Sequence, residues 1–151
     1  MSKIQKVLST GKTHTTSTEP GGILHSHDAN LDFSMTSVGN GAAQPLAVTA
    51  VGLHPTAEKM FAGAWSACYI AAVGLVAKEK KVTLPPETAV DLEVDMGNVG
   101  NELFLQARLN LIVPGVDQKI ADEIAHAADQ MCPYSKATRG NIDVVLKAIT
   151  A

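Results

Sequence analysis

Four stretches of the chain alternate apolar and polar residues with a period of two, the pattern of a strand with one face buried. In Asn30–Met35, Leu31, Phe33 and Met35 alternate with Asp32 and Ser34; in Thr88–Met96, Val90, Leu92, Val94 and Met96 alternate with Asp91, Glu93 and Asp95. A longer stretch follows, with Leu103, Leu105, Ala107, Leu109, Leu111 and Val113 at every second position, and in Ile142–Ile149 the residues Ile142, Val144 and Leu146 oppose Asp143 and Lys147. Gly97–Asn101 is turn chemistry between the second and third stretches and predicts a β-hairpin with one core face and one acidic, solvent-facing side. Ile4–Thr16, rich in Thr, Val and Ile, predicts a strand ending at the Pro20-Gly21-Gly22 turn, so the first third reads as an antiparallel hairpin or meander. Gly39–Pro55 is built mostly of small residues and reads as a loop.

Two segments break this rhythm. Met60–Ala77 carries no charge and reads as a buried helix, with Thr56 to cap its start, Glu58 near its positive end, and Lys78, Lys80 and Lys81 crowding its negative end. Alanine and glycine outweigh leucine within it, which argues for a core helix over a membrane span. Gly63, Ala67 and Ala71 recur every fourth residue and predict a flat face for a close helix–helix crossing. Later, Asp117 caps a second helix whose apolar stripe is Ile120, Ile124, Ala127 and Met131, running into Cys132-Pro133. Pro85-Pro86 and Pro114-Gly115 punctuate the elements between.

Composition narrows the picture. At 151 residues without a dividing linker, residues 1–151 read as a single domain, and 46% hydrophobic with 18% charged residues excludes a disordered chain. A net charge of −3 gives no general attraction to nucleic acid or to an anionic membrane surface. The first ten residues lack the apolar run of a secretory signal, which points to the cytoplasm, where thiols stay reduced. Two cysteines there are not expected to form a structural staple.

Local pattern leaves the role of those cysteines open. Cys68 lies mid-helix among apolar neighbours, where a thiol is commonly just packed; Cys132 stands at a helix end before a proline, where the chain changes direction. A metal site is disfavoured because the cysteines are far apart in sequence and the histidines scattered, and nothing beside either cysteine supports a Cys–His protease arrangement.

Two longer segments add a resemblance. AEKMFAGAWSACYIAA around Cys68 and QMCPYSKATRGNIDVVL around Cys132 resemble the two signature segments of the organic hydroperoxide resistance (Ohr) proteins, in the OsmC/Ohr superfamily. Weaker similarity in 6–33 and 114–128 extends the likeness over nearly the whole chain. The resemblance implies an α+β fold in which antiparallel sheets wrap paired central helices in an intertwined homodimer, with active sites at the subunit interface. It implies a cysteine-based peroxidase, without cofactor or metal, in which Cys68 attacks an organic or fatty-acid hydroperoxide and Cys132 closes a disulfide on it. Dihydrolipoamide on a lipoylated protein would be the reductant. Phe61, Trp65 and Tyr69 are candidates for an apolar pocket.

The family also uses a glutamate ten residues before the first cysteine, here Glu58, to hold an arginine from the N-terminal hairpin that stabilises the thiolate. The sequence departs from the family at that arginine: the matching stretch reads STEPGG, with Glu19 or Pro20 at its place. The chain's two arginines, Arg108 and Arg139, lie elsewhere, which leaves Lys12, His14, His25 and His27 as candidates to lower the Cys68 pKa. Two rival readings follow: an Ohr-like redox sensor or apolar-ligand-binding protein with weak peroxidase activity, and a structural dimer with inert thiols.

Overall fold

The alternating stretches become strands of a six-stranded sheet in a computed structural model that describes residues 3–17, 31–39, 42–50 and 56–151. The elements are β1 (Lys6–Ser17), β2 (Leu31–Gly39), β3 (Ala42–Ala50), α1 (Ala57–Glu79), β4 (Ala89–Val99), β5 (Glu102–Ile112), α2 (Gln118–Met131), α3 (Pro133–Thr138) and β6 (Asp143–Ile149). In space the strands run β2-β3-β1-β4-β5-β6. All neighbours are antiparallel except β5 and β6, which are parallel and joined through the two helices between them. The fold is that of an α+β protein with helices on one face of a mostly antiparallel sheet.

The β4–β5 hairpin keeps one continuous register from Ala89 opposite Ile112 to Val99 opposite Glu102. The turn is tighter than the glycine-rich stretch predicted. Gly97 and Asn98 remain in β4, and the reversal falls at Gly100, whose φ of +59° a residue with a side chain would adopt only under strain.

The expectation of a loop through Gly39–Pro55 is overturned over Ala42–Ala50, which is β3, seated between β2 and β1. Alanines dominate this segment, so its period-two contrast is weak. Pairing on both flanks supplies the backbone hydrogen bonds that local pattern did not advertise. The pairing expected between the first two strands does not form: β2 pairs with β3, and β1 lies between β3 and β4.

Alternation then sorts the sheet into two faces. Val90, Leu92, Val94, Ala107, Leu109 and Leu111 form the inner, buried face beneath the helices. On β1, Thr13 and Thr15 also point inward and meet Ser66 of α1, the Thr15 and Ser66 hydroxyls lying 2.7 Å apart. Lys12 and His14 must then point outward. There Lys12 pairs with Glu93, His14 with Asp91, and Arg108 with both Glu93 and Asp95. This acidic face is drier than the sequence predicts: Asp95 is only 2% exposed, because Arg108, Gln106 and Thr10 all close over its carboxylate.

The helix α1 starts where expected, with the Thr56 hydroxyl accepting the Lys59 N–H at 3.2 Å. It is the one described helix long and apolar enough to cross a bilayer, and most of that apolar window is buried within the fold. Gly63 and Ala67 are already buried inside the chain. The contact with α2 runs instead through Tyr69, whose hydroxyl donates to the Ala125 carbonyl at 2.8 Å. Two residues on from Ala67 is roughly 200° around the helix, so the predicted flat face is not the α2 contact. On α2 the buried residues are Ala121, Ile124, Ala125 and Ala128, while Ile120 is exposed. The stripe predicted through Ile120, Ile124, Ala127 and Met131 keeps Ile124 but turns toward the alanines, whose small side chains let the two helices approach.

Candidate functional site: two opposed thiols

Cys68 sits in the middle of α1 and is half-buried. Cys132 arrives from the other side, at a junction where its N–H closes α2 by donating to Ala128 O at 2.8 Å and its backbone opens α3. Pro133 makes the junction. A proline at the first helical position gives up an N–H that would have no helical partner, and it forces the preceding residue out of helical geometry. Cys132 accordingly has φ −61° and ψ 123°, an extended residue between two helices, and its side chain is wholly buried. Sixty-four residues separate the cysteines in sequence, yet their sulfurs lie 3.4 Å apart. That is hydrogen-bonding contact between free thiols, well beyond the roughly 2.05 Å of a disulfide bond.

Thiols this close titrate as a pair that shares one proton. The hydrogen bond with Cys68 is the largest effect lowering Cys132, against the opposing effect of burial; the backbone N–H and hydroxyl of Ser135 and the N–H of Tyr134 lower it further. Cys68 is raised by the same hydrogen bond, by burial and by the neighbouring charge. The Ser135 hydroxyl is held in turn: the Trp65 indole N–H donates to it at 3.1 Å, which leaves its own hydrogen directed elsewhere. Ser135 is the site residue that sequence reasoning missed. The available signal was the spacing Cys-Pro-x-Ser, which puts a hydroxyl in the first turn of any helix that starts at the proline.

Of the predicted pocket residues, Trp65 and Tyr69 are fully buried with their polar ends tied to Ser135 and Ala125, so they are core. Phe61 is half-buried and packs edge-on against Trp65 with ring centroids 5.7 Å apart. Tyr134 is 41% exposed at the start of α3. A separate cleft of about 410 Å³, bordered by Met96, Leu103, Phe104 and Leu105, includes neither cysteine.

The candidates for lowering the Cys68 pKa fare poorly. Lys12 and His14 are turned to the outer face and bound to Glu93 and Asp91. Arg108 is on that face too, and Arg139 is engaged by the carboxylate and the carbonyl of Asp129. His25 and His27, with Glu19 and Pro20, lie outside the described residues. Glu58 is partly buried in the first turn of α1, ten residues before Cys68 and roughly 15 Å away by helical rise. Its backbone is packed against Gly11 of β1. Among the described residues no cluster of three His, Cys, Asp or Glu side chains is placed to hold a metal ion.

A half-exposed thiol on a long buried helix, faced by a second thiol at a helix junction and laid against an antiparallel sheet, defines a two-thiol α+β protein. Residues 50–147 match the family model described as OsmC-like protein, and the chain belongs to that family. The organic hydroperoxide resistance protein of Xanthomonas axonopodis pv. citri is 40% identical over 95 residues, a match spanning 63% of this chain and 66%, just under two thirds, of that relative. The organic hydroperoxide resistance protein OhrB of Bacillus subtilis is 33% identical over 128 residues, covering 83% and 88% of the two chains. In three dimensions, an organic hydroperoxide resistance protein from Elizabethkingia anophelis, crystallised with thiocyanate bound, superposes with a TM-score of 0.61 at 26% identity, over 83% of this chain and 100% of that one.

Proposed function

We propose that this protein is a thiol peroxidase that reduces organic hydroperoxides, fatty-acid hydroperoxides among them, to alcohols. The observation that carries the reading is the 3.4 Å separation of Cys68 and Cys132. Cys68, the more accessible sulfur, attacks the outer peroxide oxygen and becomes a sulfenic acid; Cys132 condenses with it, releasing water and leaving a disulfide before over-oxidation. Dihydrolipoamide, free or on a lipoylated protein, returns both thiols in the cytoplasm.

Glu58 serves from a distance in this scheme. It is too far from sulfur for direct proton transfer, and it orders the start of α1 against β1. The working unit is a homodimer, with the substrate channel completed between subunits. One observation supports that assembly: Val7, Leu8 and Leu103 stand exposed together at the hairpin end of the sheet.

The test is to mix reduced protein with cumene hydroperoxide and follow both peroxide loss and free thiols. Repeated turnover with dihydrolipoamide, lost in Cys68→Ser, is the expected result. One specific observation favours a second reading, a redox sensor or apolar-ligand binder: both guanidinium groups are committed to carboxylates away from the thiols. A single slow, stoichiometric oxidation would select that reading, and intact thiols after prolonged exposure would reject both.

A further inference from the structure

We propose that Trp65 and Tyr69, which flank Cys68 on α1, are positioning residues for Cys132: their two hydrogen bonds grip the chain on either side of the α2–α3 junction and hold the second sulfur against the first. The proposal deepens the peroxidase reading and rests on it only for the oxidant. It is carried by three contacts made from one helix: Trp65 Nε1 donates to Ser135 Oγ at 3.1 Å, Tyr69 Oη donates to the Ala125 carbonyl at 2.8 Å, and between them the sulfurs lie 3.4 Å apart.

Trp65 stands three residues before Cys68 and Tyr69 one after it. At about 100° per residue the two point to the same side of α1, roughly 40° apart. Their reach is complementary: Trp65 holds α3 three residues after Cys132, and Tyr69 holds α2 seven residues before it. Without these bonds the junction is a weak point. Pro133 has no N–H to continue α2, and Cys132 is extended between the helices, so a turn about its ψ would swing α3 away. Ser135 is buried and Trp65 and Tyr69 are fully so, which shields both bonds from solvent. Phe61 backs the indole with its ring edge-on. Cys132 itself meets no solvent and reacts through Cys68, so the helix that carries one sulfur also sets its distance from the other.

That distance decides between two fates of the oxidised thiol. When the Cys132 sulfur attacks the Cys68 sulfenic acid, an S–S bond forms, the S–O bond breaks, and the hydroxyl leaves as water with the Cys132 proton. When a second hydroperoxide arrives first, its outer oxygen passes to the Cys68 sulfur, its O–O bond breaks, it departs as the alcohol, and a sulfinic acid remains. The first route is intramolecular, and its rate follows the effective concentration of Cys132, which the two anchors raise by confining the junction. Trp65 and Tyr69 act on the peroxide chemistry only through Cys132.

The experiment uses the parent, Ser135→Ala, Trp65→Phe, these two combined, and Tyr69→Phe, with Asp95→Asn as a control destabilised on the outer face of the sheet. Two quantities are read by peptide mass spectrometry after alkylation: the Cys68–Cys132 disulfide at equilibrium with reduced and oxidised dithiothreitol, and the ratio of Cys68 sulfinic acid to disulfide after excess cumene hydroperoxide. Each junction variant should weaken the disulfide on the order of fivefold, as expected for one buried hydrogen bond, and raise the sulfinic ratio by a similar factor. Asp95→Asn should change neither, which separates positioning from loss of stability. Ser135→Ala and Trp65→Phe together should do no more than either alone, because they remove the same bond. Parent values in Ser135→Ala and Tyr69→Phe, each of which trims one hydroxyl and keeps the core nearly full, overturn the proposal, as does an equal shift in Asp95→Asn. A weakened disulfide in the variants with no oxidation of parent Cys68 by the hydroperoxide overturns the peroxidase reading and leaves the positioning of Cys132 standing.

Discussion

Asp95→Asn changes one atom in the most highly connected polar site of the sheet. Four donors converge on its carboxylate: Thr10 Oγ1 and Arg108 Nη2 on one oxygen, Gln106 Nε2 and Arg108 Nη1 on the other, all within 2.6–2.9 Å. An amide in its place sets an NH2 group against one of these pairs in either orientation. Thr10 and Gln106 have acceptor atoms to turn toward it, but a guanidinium has none. The cost is one charge-assisted hydrogen bond lost at a buried position, about 2–3 kcal/mol. The lower half of that range is favoured, because Arg108 is 38% exposed and water recovers part of its solvation. For a chain of this size each kcal/mol lowers Tm by about 2–4 °C. Urea unfolding from pH 3 to 8 is the assay. The sign follows from Arg108, which holds the Asp95 carboxyl well below the usual carboxylate range. Its stabilising contribution is complete above the unfolded value near pH 4 and is lost as pH falls through the folded one. The gap between parent and variant should then be constant from pH 5 to 8 and narrow only in acid. A difference under about 0.5 kcal/mol at pH 7, within the range of ordinary surface substitutions, would refute the buried-network argument.

Four further outcomes are expected. The His14 imidazole is raised above its ordinary value by its hydrogen bond to Asp91, so its contribution is present below about pH 6.5 and fades as pH rises through the folded value; His14→Gln should cost well under about 1 kcal/mol at pH 6 and nothing at pH 9, since both side chains are largely solvated. Tyr69→Phe removes the hydroxyl bond that ties α1 to α2, and differential scanning fluorimetry should show a loss of about 1 kcal/mol. Gly11→Ala places a Cβ closer than 3.0 Å to backbone atoms of Glu58 and Lys59, which cannot rotate away; a penalty of about 1–3 kcal/mol is expected by urea unfolding. Oxidising the pair must draw the sulfurs together by roughly 1.3 Å. Since α1 is held by bonds from Ser66 and Tyr69, hydrogen exchange should quicken in 132–139 and stay slow in α1; the reverse pattern would place the movement in the wrong element.

The legibility of the chain tracks how much contrast each element carries. In β4 and β5, leucines and valines alternate with Asp, Glu and Arg, and the strands, their partner and their buried face are all readable. In β3 Ala, Gln, Leu and Val alternate with Ala, Pro and Thr, a weak contrast that pairing with its two neighbours makes into a strand. The buried face of α2 is misread because isoleucine outweighs alanine in any pattern, whereas packing against α1 selects the smaller residue. The six-residue α3 has no period to detect; Pro133 alone announces it. Both cysteines are conspicuous, but their proximity depends on an α2–α3 junction that no spacing predicts, and the resemblance to a two-cysteine family supplied that pairing.

The distance of Lys12 and His14 from the thiols has a cause in the sheet itself. Thr13 and Thr15 must face Ser66 for β1 to pack on α1, and a strand's period of two then turns Lys12 and His14 away together. Rotamer changes do not reverse this; only a one-residue slip of β1 would, and it would carry the threonines out and break the register with β3 and β4. The carboxylates of β4 reinforce the arrangement by pairing with Lys12, His14 and Arg108. Neither Lys12 nor His14 can therefore reach the inner face to lower a thiol pKa. Neutral groups do act there: the backbone N–H and hydroxyl of Ser135 and the N–H of Tyr134 favour the charged form of Cys132.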